Sequence, residues 1–207
     1  FFNNATKLET VKLPNAIKAI GENAFAGSTK LNTIDLSNTA VETIEANAFK
    51  DATQLATVTL PATATLKTIG NNAFTNSGLN TLGSKPSGNT TLTTNKVELP
   101  TSVTTLGTGV FSNSGVVNVD LSKPTNTTMN TLPTSAFEGA VNLSSVTLKN
   151  ELSAIGENAF KNATNLKTVT TPNQTTSRAV VENKVQFGNN LKTIGNNAFS
   201  NSGITEV

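Results

Sequence analysis

The chain has 207 residues, 15 of them basic and 13 acidic, with a single arginine and no cysteine, histidine, tryptophan or tyrosine. Without cysteine there is neither a disulfide framework nor a thiolate metal site, and with histidine also absent the usual general base and thiol nucleophile are missing. Charges scattered singly along the chain form no basic stripe for nucleic acid, and no apolar run approaches the ~18 residues of a membrane span.

The first full unit reads Leu8-Glu9-Thr10-Val11-Lys12-Leu13-Pro14, then Ile17-Lys18-Ala19-Ile20-Gly21-Glu22-Asn23-Ala24-Phe25. The same words return from Leu31 to Phe49, from Leu55 to Phe74, from Leu143 to Phe160 and from Leu191 to Phe199, with looser copies from Val103 and Met129. Where nothing intervenes, Phe2, Phe25, Phe49 and Phe74, and likewise Phe111, Phe137 and Phe160, recur every 23 to 26 residues. A fixed period of that length signals a solenoid, one supersecondary unit per coil. The phenylalanines, with Phe199, are expected to stack as an internal ladder, each burial worth about 1.5–3 kcal/mol.

Two extended pieces flank each phenylalanine. In Leu31/Ile34/Leu36 and Leu55/Val58/Leu60 the last apolar pair alternates at period two, turning one face inward and leaving the other wet. The second piece, as in Leu66/Ile69/Gly70, ends on a glycine that suggests a backbone bend. Asn23, Asn47, Asn72, Asn158 and Asn197 follow in one phase; read as N-caps, they predict a single helical or 3₁₀ turn opened by Ala-Phe. Strands of successive coils would pair in parallel at about 4.8 Å.

The repeat is interrupted twice, by inserted loops over 83–96 and 170–184, and more briefly at Ser122 to Thr128. Val97-x-Leu99 and Val185-x-Phe187 resume the phase of Val11-x-Leu13, so both insertions enter at the same point of the coil, where a loop would stand beside or above the sheet. The expected domain plan is one solenoid of about eight coils over 1–207, a fragment of a longer array, since neither end carries a polar capping unit.

The words L-x-x-V-x-L-P and I-G-x-N-A-F closely resemble the BspA-like class of leucine-rich repeats. The resemblance implies an α/β repeat solenoid, a curved stack with a parallel β-sheet, second short extended segments and one short helical or 3₁₀ turn per coil. The family commonly carries a cysteine a few residues after the phenylalanine; here Ser28, Ala52, Ser77, Ser114, Ala140 and Ala163 hold that slot. It also implies an extracellular or cell-surface protein, several relatives being adhesins for host matrix or plasma proteins. No ligand-binding pattern is general to the family, so no site residue carries over from it.

A surface for a protein ligand is therefore sought in the residues themselves. The wet strand face places Thr10, Lys12, Thr33, Asp35, Thr57, Thr59, Asn118, Asp120, Thr147 and Thr168 together, and the insertions contribute Lys85, Asn89 and Arg178. Threonine is in any case a favoured residue on a half-exposed strand, and this face lacks the tyrosine and tryptophan of interface hot spots. Insertions on a rigid scaffold often carry recognition, though lengthening a surface loop costs little. Catalysis is not expected: Glu22, Glu45 and Glu157 sit at turn positions, with no second carboxylate brought close in a shielded cleft. No cofactor, metal, nucleic acid or membrane partner is implied, while open sheet edges allow end-to-end self-association. The reading is a non-catalytic protein-binding module, with a spacer that displays another domain as its alternative.

Overall fold

In the computed structural model, which describes residues 2–61, 63–85, 91–124, 129–172 and 184–206, every strand pairing is parallel. The strands of the first half are β1 (Ala19–Ile20), β2 (Thr33–Asp35), β3 (Thr43–Ile44), β4 (Thr57–Leu60), β5 (Thr68–Ile69), β6 (Thr81–Ser84), β7 (Lys96–Glu98) and β8 (Thr105–Leu106). The second half adds β9 (Asn118–Asp120), β10 (Thr131–Leu132), β11 (Ser145–Thr147), β12 (Ala154–Ile155), β13 (Thr168–Thr170), β14 (Lys184–Val185) and β15 (Thr193–Ile194).

They form a large sheet in the order β14-β13-β11-β9-β7-β6-β4-β2 and a small one on the other side of the core. The small sheet is divided into β1-β3-β5-β8 and β10-β12-β15. Between them run the phenylalanines, from Phe2 through Phe25, Phe49, Phe74, Phe111, Phe137 and Phe160 to Phe199, in one stack with centroids 5.0–5.7 Å apart and planes within 23°. Near-parallel rings at that spacing are offset, the arrangement their quadrupoles favour. The six inner rings are buried, along with Ile34, Val58, Leu82, Val97, Val119, Val146 and Val169 from the middle of the large-sheet strands. The internal ladder read from the phenylalanine spacing is present.

The expected helical or 3₁₀ turn is not. Among the described residues there is no helix, and the α/β reading gives way to an all-β coil. The reason lies in the asparagines. Asn23, Asn47, Asn72, Asn158 and Asn197 all have φ of 53–56°, the left-handed conformation that asparagine tolerates better than other residues with a Cβ, so they are not N-caps. A second left-handed residue follows four positions on, as at Asp51, Asn76 and Asn162. This alternation splits the amides into two sets. Ala48 N, Lys50 N and Ala52 N bond three residues back, while Asn47 N, Phe49 N and Asp51 N donate along the stack to Asn71, Ala73 and Thr75 of the next coil at 2.8–2.9 Å. A helix would keep all of these bonds within one segment. Glycine replaces asparagine in the left-handed slots at Gly109 and Gly139, where a Cβ would also strike the Oδ1 of Asn72 or Asn113 in the preceding coil.

Four of the glycines that follow small strands, Gly70, Gly107, Gly156 and Gly195, leave no room for a Cβ against the preceding coil, whereas Gly21 after β1 faces open space. A Cβ on Gly70 would lie 2.6 Å from Ala46 N, and one on Gly156 would lie 2.5 Å from Thr134 N. The slot where relatives carry cysteine is filled as expected by small buried residues. Its serines also supply hydrogen bonds, Ser77 Oγ to Phe74 O at 2.8 Å and Ser114 Oγ to Phe111 O at 2.7 Å.

Candidate interaction surface

The insertions act on the large sheet. β6 pairs with β4 on one side and β7 on the other, although no phenylalanine and, among the described residues, no small strand lies between β6 and β7 in the chain. The chain thus leaves the sheet after Ser84 and returns as an additional parallel strand. β13 and β14 repeat the arrangement. Residues 83–84, 96, 170 and 184, placed in loops from the sequence, belong to strands.

The described part of the first insertion folds over the wet face. Asn95 N donates to Thr81 Oγ1 at 3.1 Å, and Leu92 Cδ2 comes within 4.0 Å of the place a Cβ on Gly83 would occupy. Thr81 is buried in consequence, although its neighbour in register, Thr57, is half-exposed.

Parallel register sorts the wet face into two rows. One runs Thr33, Thr57, Thr81 and, beyond β7, Asn118, Ser145, Thr168; the other runs Asp35, Thr59, Gly83 and then Glu98, Asp120, Thr147, Thr170. Of the expected surface residues, Thr33, Asp35, Thr57, Asn118, Asp120, Thr147 and Thr168 lie on these strands, exposed or half-exposed. Thr59 lies there too but is buried at 6% exposure, so it is not available to a partner. Thr10 and Lys12 are exposed on a segment outside the assigned strands, and Asn89 and Arg178 fall outside the described residues.

A charged patch marks the place where the additional strand enters. Lys96 pairs with Glu98 and, at 3.6 Å, with Asp120; Lys123 pairs with Glu98; and Lys85 reaches Asp35 at 3.6 Å. Partial burial pushes the Glu98 carboxyl up, but hydrogen bonds from Lys123 and Lys96 outweigh it and hold the group below its ordinary value. Asp120 behaves alike, burial being offset by Ser122, whose N and Oγ donate at 3.0 and 2.6 Å. The hydrogen bond to Glu98 raises Lys96. Two depressions adjoin the patch and share Ser84, Glu98 and Lys123: one of about 260 Å³ bounded by Gly83, Leu92 and Lys96, the other of about 290 Å³ bounded by Lys85, Leu99 and Pro100. Gly83 leaves the gap in the second row.

Lys96, Glu98 and Lys123 were not among the residues singled out from the sequence. The phase of Val97, already matched to Val11, carries the signal for two of them, because the residues on either side of an inward valine point to the wet face. Lys123 comes from beyond the strand, and no periodic cue marks it.

The model of the BspA-type leucine-rich repeat region matches in six copies over residues 1–95 and 88–205. The chain belongs to the BspA-type leucine-rich repeat family. Among solved structures, it is similar to a leucine-rich repeat protein from Bacteroides ovatus, with 23% identity and a TM-score of 0.75 over 99% of this chain and 44% of that one. It is also similar to a leucine-rich repeat protein of T. pallidum, with 23% identity and a TM-score of 0.52 over 94% of this chain and 63% of that one. At these identities the likeness is one of fold, and the chain spans less than two thirds of either protein. No curated protein matches it. BspA-type repeats serve in general as scaffolds for protein interaction. Among the described residues there is no helix long and apolar enough to cross a membrane.

Proposed function

We propose that this BspA-type repeat array is a non-catalytic protein-binding module of a secreted or cell-surface protein, and that its ligand is a host matrix or plasma protein. The observation that carries the reading is the charged patch of Lys85, Lys96, Glu98, Asp120 and Lys123 with its two adjoining depressions, set where an insertion departs from an otherwise regular face. Patterned charges of both signs on a rigid sheet select partners by complementarity more than by raw affinity. With no tyrosine or tryptophan to anchor it, binding would be weak at one site and gain strength from several.

The test is surface binding of the chain to immobilised fibronectin, fibrinogen and collagen. Saturable binding that Glu98→Lys and Lys123→Glu each weaken about tenfold, while Lys18→Glu on the small-sheet side leaves it unchanged, supports the reading. Binding to none of the three, or non-saturable binding that all variants share, would leave the spacer role in its place.

A further inference from the structure

One boundary between coils is built differently from the others. After five of the small strands, β3, β5, β8, β12 and β15, the next residue donates its N–H to the preceding coil: Glu45 to Ile20 O, Gly70 to Ile44 O, Gly107 to Ile69 O, Gly156 to Leu132 O and Gly195 to Ile155 O, all at 2.8 Å. After β10 that residue is Pro133, which has no N–H, so the carbonyl of Leu106 cannot be met in this way. The small sheet divides at this point, between β8 and β10.

The core opens at the same boundary. Ile20, Ile44, Ile69, Leu132 and Ile155 are at most 2% exposed, yet Leu106, in the middle of the stack, is only partly buried. The other connections across the boundary are intact. β7 pairs with β9 along its whole length, and Gly109 N, Phe111 N and Asn113 N donate to Thr134, Ala136 and Glu138 at 2.8–3.0 Å. On the wet face the Lys96–Asp120 and Lys123–Glu98 pairs cross it as well. Among the described residues the boundary is therefore held by strand pairing on its large-sheet side, whereas on its small-sheet side β8 and β10 are not paired and the Leu106 carbonyl lacks the donor used in other coils.

We propose that this boundary is a hinge of the solenoid: the coils before and after it pivot about the β7–β9 seam, opening at Leu106. The pivot lies beneath the charged patch, so the motion changes the spacing of its outer groups. The inference does not depend on the protein-binding reading, because it rests on the missing backbone donor, the divided small sheet and the partial exposure of Leu106.

Amide exchange by NMR on the intact 207-residue chain tests it. The amides of Gly109, Phe111 and Asn113 should exchange at least about fivefold faster than those of Asn47, Phe49 and Asp51, the factor expected for one ordinary hydrogen bond. Pro133→Gly restores the donor that other coils use and should bring the three rates back to those of their neighbours, leaving Asn47, Phe49 and Asp51 unchanged. Equal protection at both boundaries in the unaltered chain would overturn the hinge, and so would a folded Pro133→Gly variant with unaltered rates. If that variant does not fold, the comparison within the unaltered chain decides alone.

Discussion

Phe74 follows Phe49 after 25 residues, and Phe111 follows Phe74 after 37, yet the two ring pairs are 5.3 and 5.7 Å apart with planes within 9°. In the first interval the chain makes one regular coil. In the second it also makes β7, and the large sheet widens by one strand while the small sheet pairs β5 directly with β8. The comparison separates two parts of the repeat. The aromatic stack, the left-handed turns and the small strands define the unit, whereas the large sheet accepts an additional strand at its entry point. Adding to that sheet costs little because the new strand brings its own buried valine and ladder bonds.

The largest effects should come from the stack. Phe74→Ala or Phe111→Ala removes a fully buried ring and should cost about 3–5 kcal/mol in denaturant unfolding. If the two intervals are equivalent at the stack, the two losses agree within about 1 kcal/mol. Phe2, 39% exposed, should cost well under half as much.

The turns come next. Asn47→Ala forces a Cβ residue without a polar side chain into φ 54° and should destabilise by about 1–2 kcal/mol, whereas Asn47→Gly should be close to neutral. Equal losses for the two would mean that the asparagine side chain, not its backbone, is what the turn requires.

The patch should contribute less. Glu98 and Asp120 are held below their ordinary carboxyl values in the fold, so their contribution is fully present above that range. It is lost as pH falls through and below about 4, where the unfolded chain takes up protons first. Melting curves at pH 7 and pH 3 should show Glu98→Gln eliminating part of the acid destabilisation, by less than about 1 kcal/mol for a pair of this exposure. A variant that melts like the unaltered chain at both pH values would remove the ionic contribution from the account. Smallest of all, Thr33→Ala on the exposed row should change stability by less than about 0.5 kcal/mol.

Much of this was legible in the sequence, and the failures have particular causes. The phenylalanine spacing revealed the stack because one residue type at one phase must superpose in any solenoid. Period-two alternation at Ile34/Leu36 and Val58/Leu60 located the large-sheet strands for the same reason. Asparagine misled because it is favoured both at helix N-caps and in left-handed turns, and the backbone conformation and the bonds to the next coil that distinguish the two are not written in the residue type. The phase match of Val97 to Val11 was sound and placed a resumed strand segment at Val97-x-Leu99, but strand pairing is not written in phase, so the position of β7 beside β6 as an additional strand was not legible. The candidate surface was half visible: the row residues followed from alternation, while the Lys123–Glu98 pair depends on which strands become neighbours.

The most direct test of the central claim is a crystal structure of the chain lacking residues 83–97. That deletion joins Leu82 to Glu98, and Thr81-Leu82-Glu98-Leu99-Pro100 then takes the phase of Thr57-Val58-Thr59-Leu60-Pro61. The account predicts a large sheet one strand narrower, with Phe74 and Phe111 still stacked at the spacing they have now. Rings driven apart, or a chain that no longer folds, would show that the additional strand belongs to the unit and would contradict it.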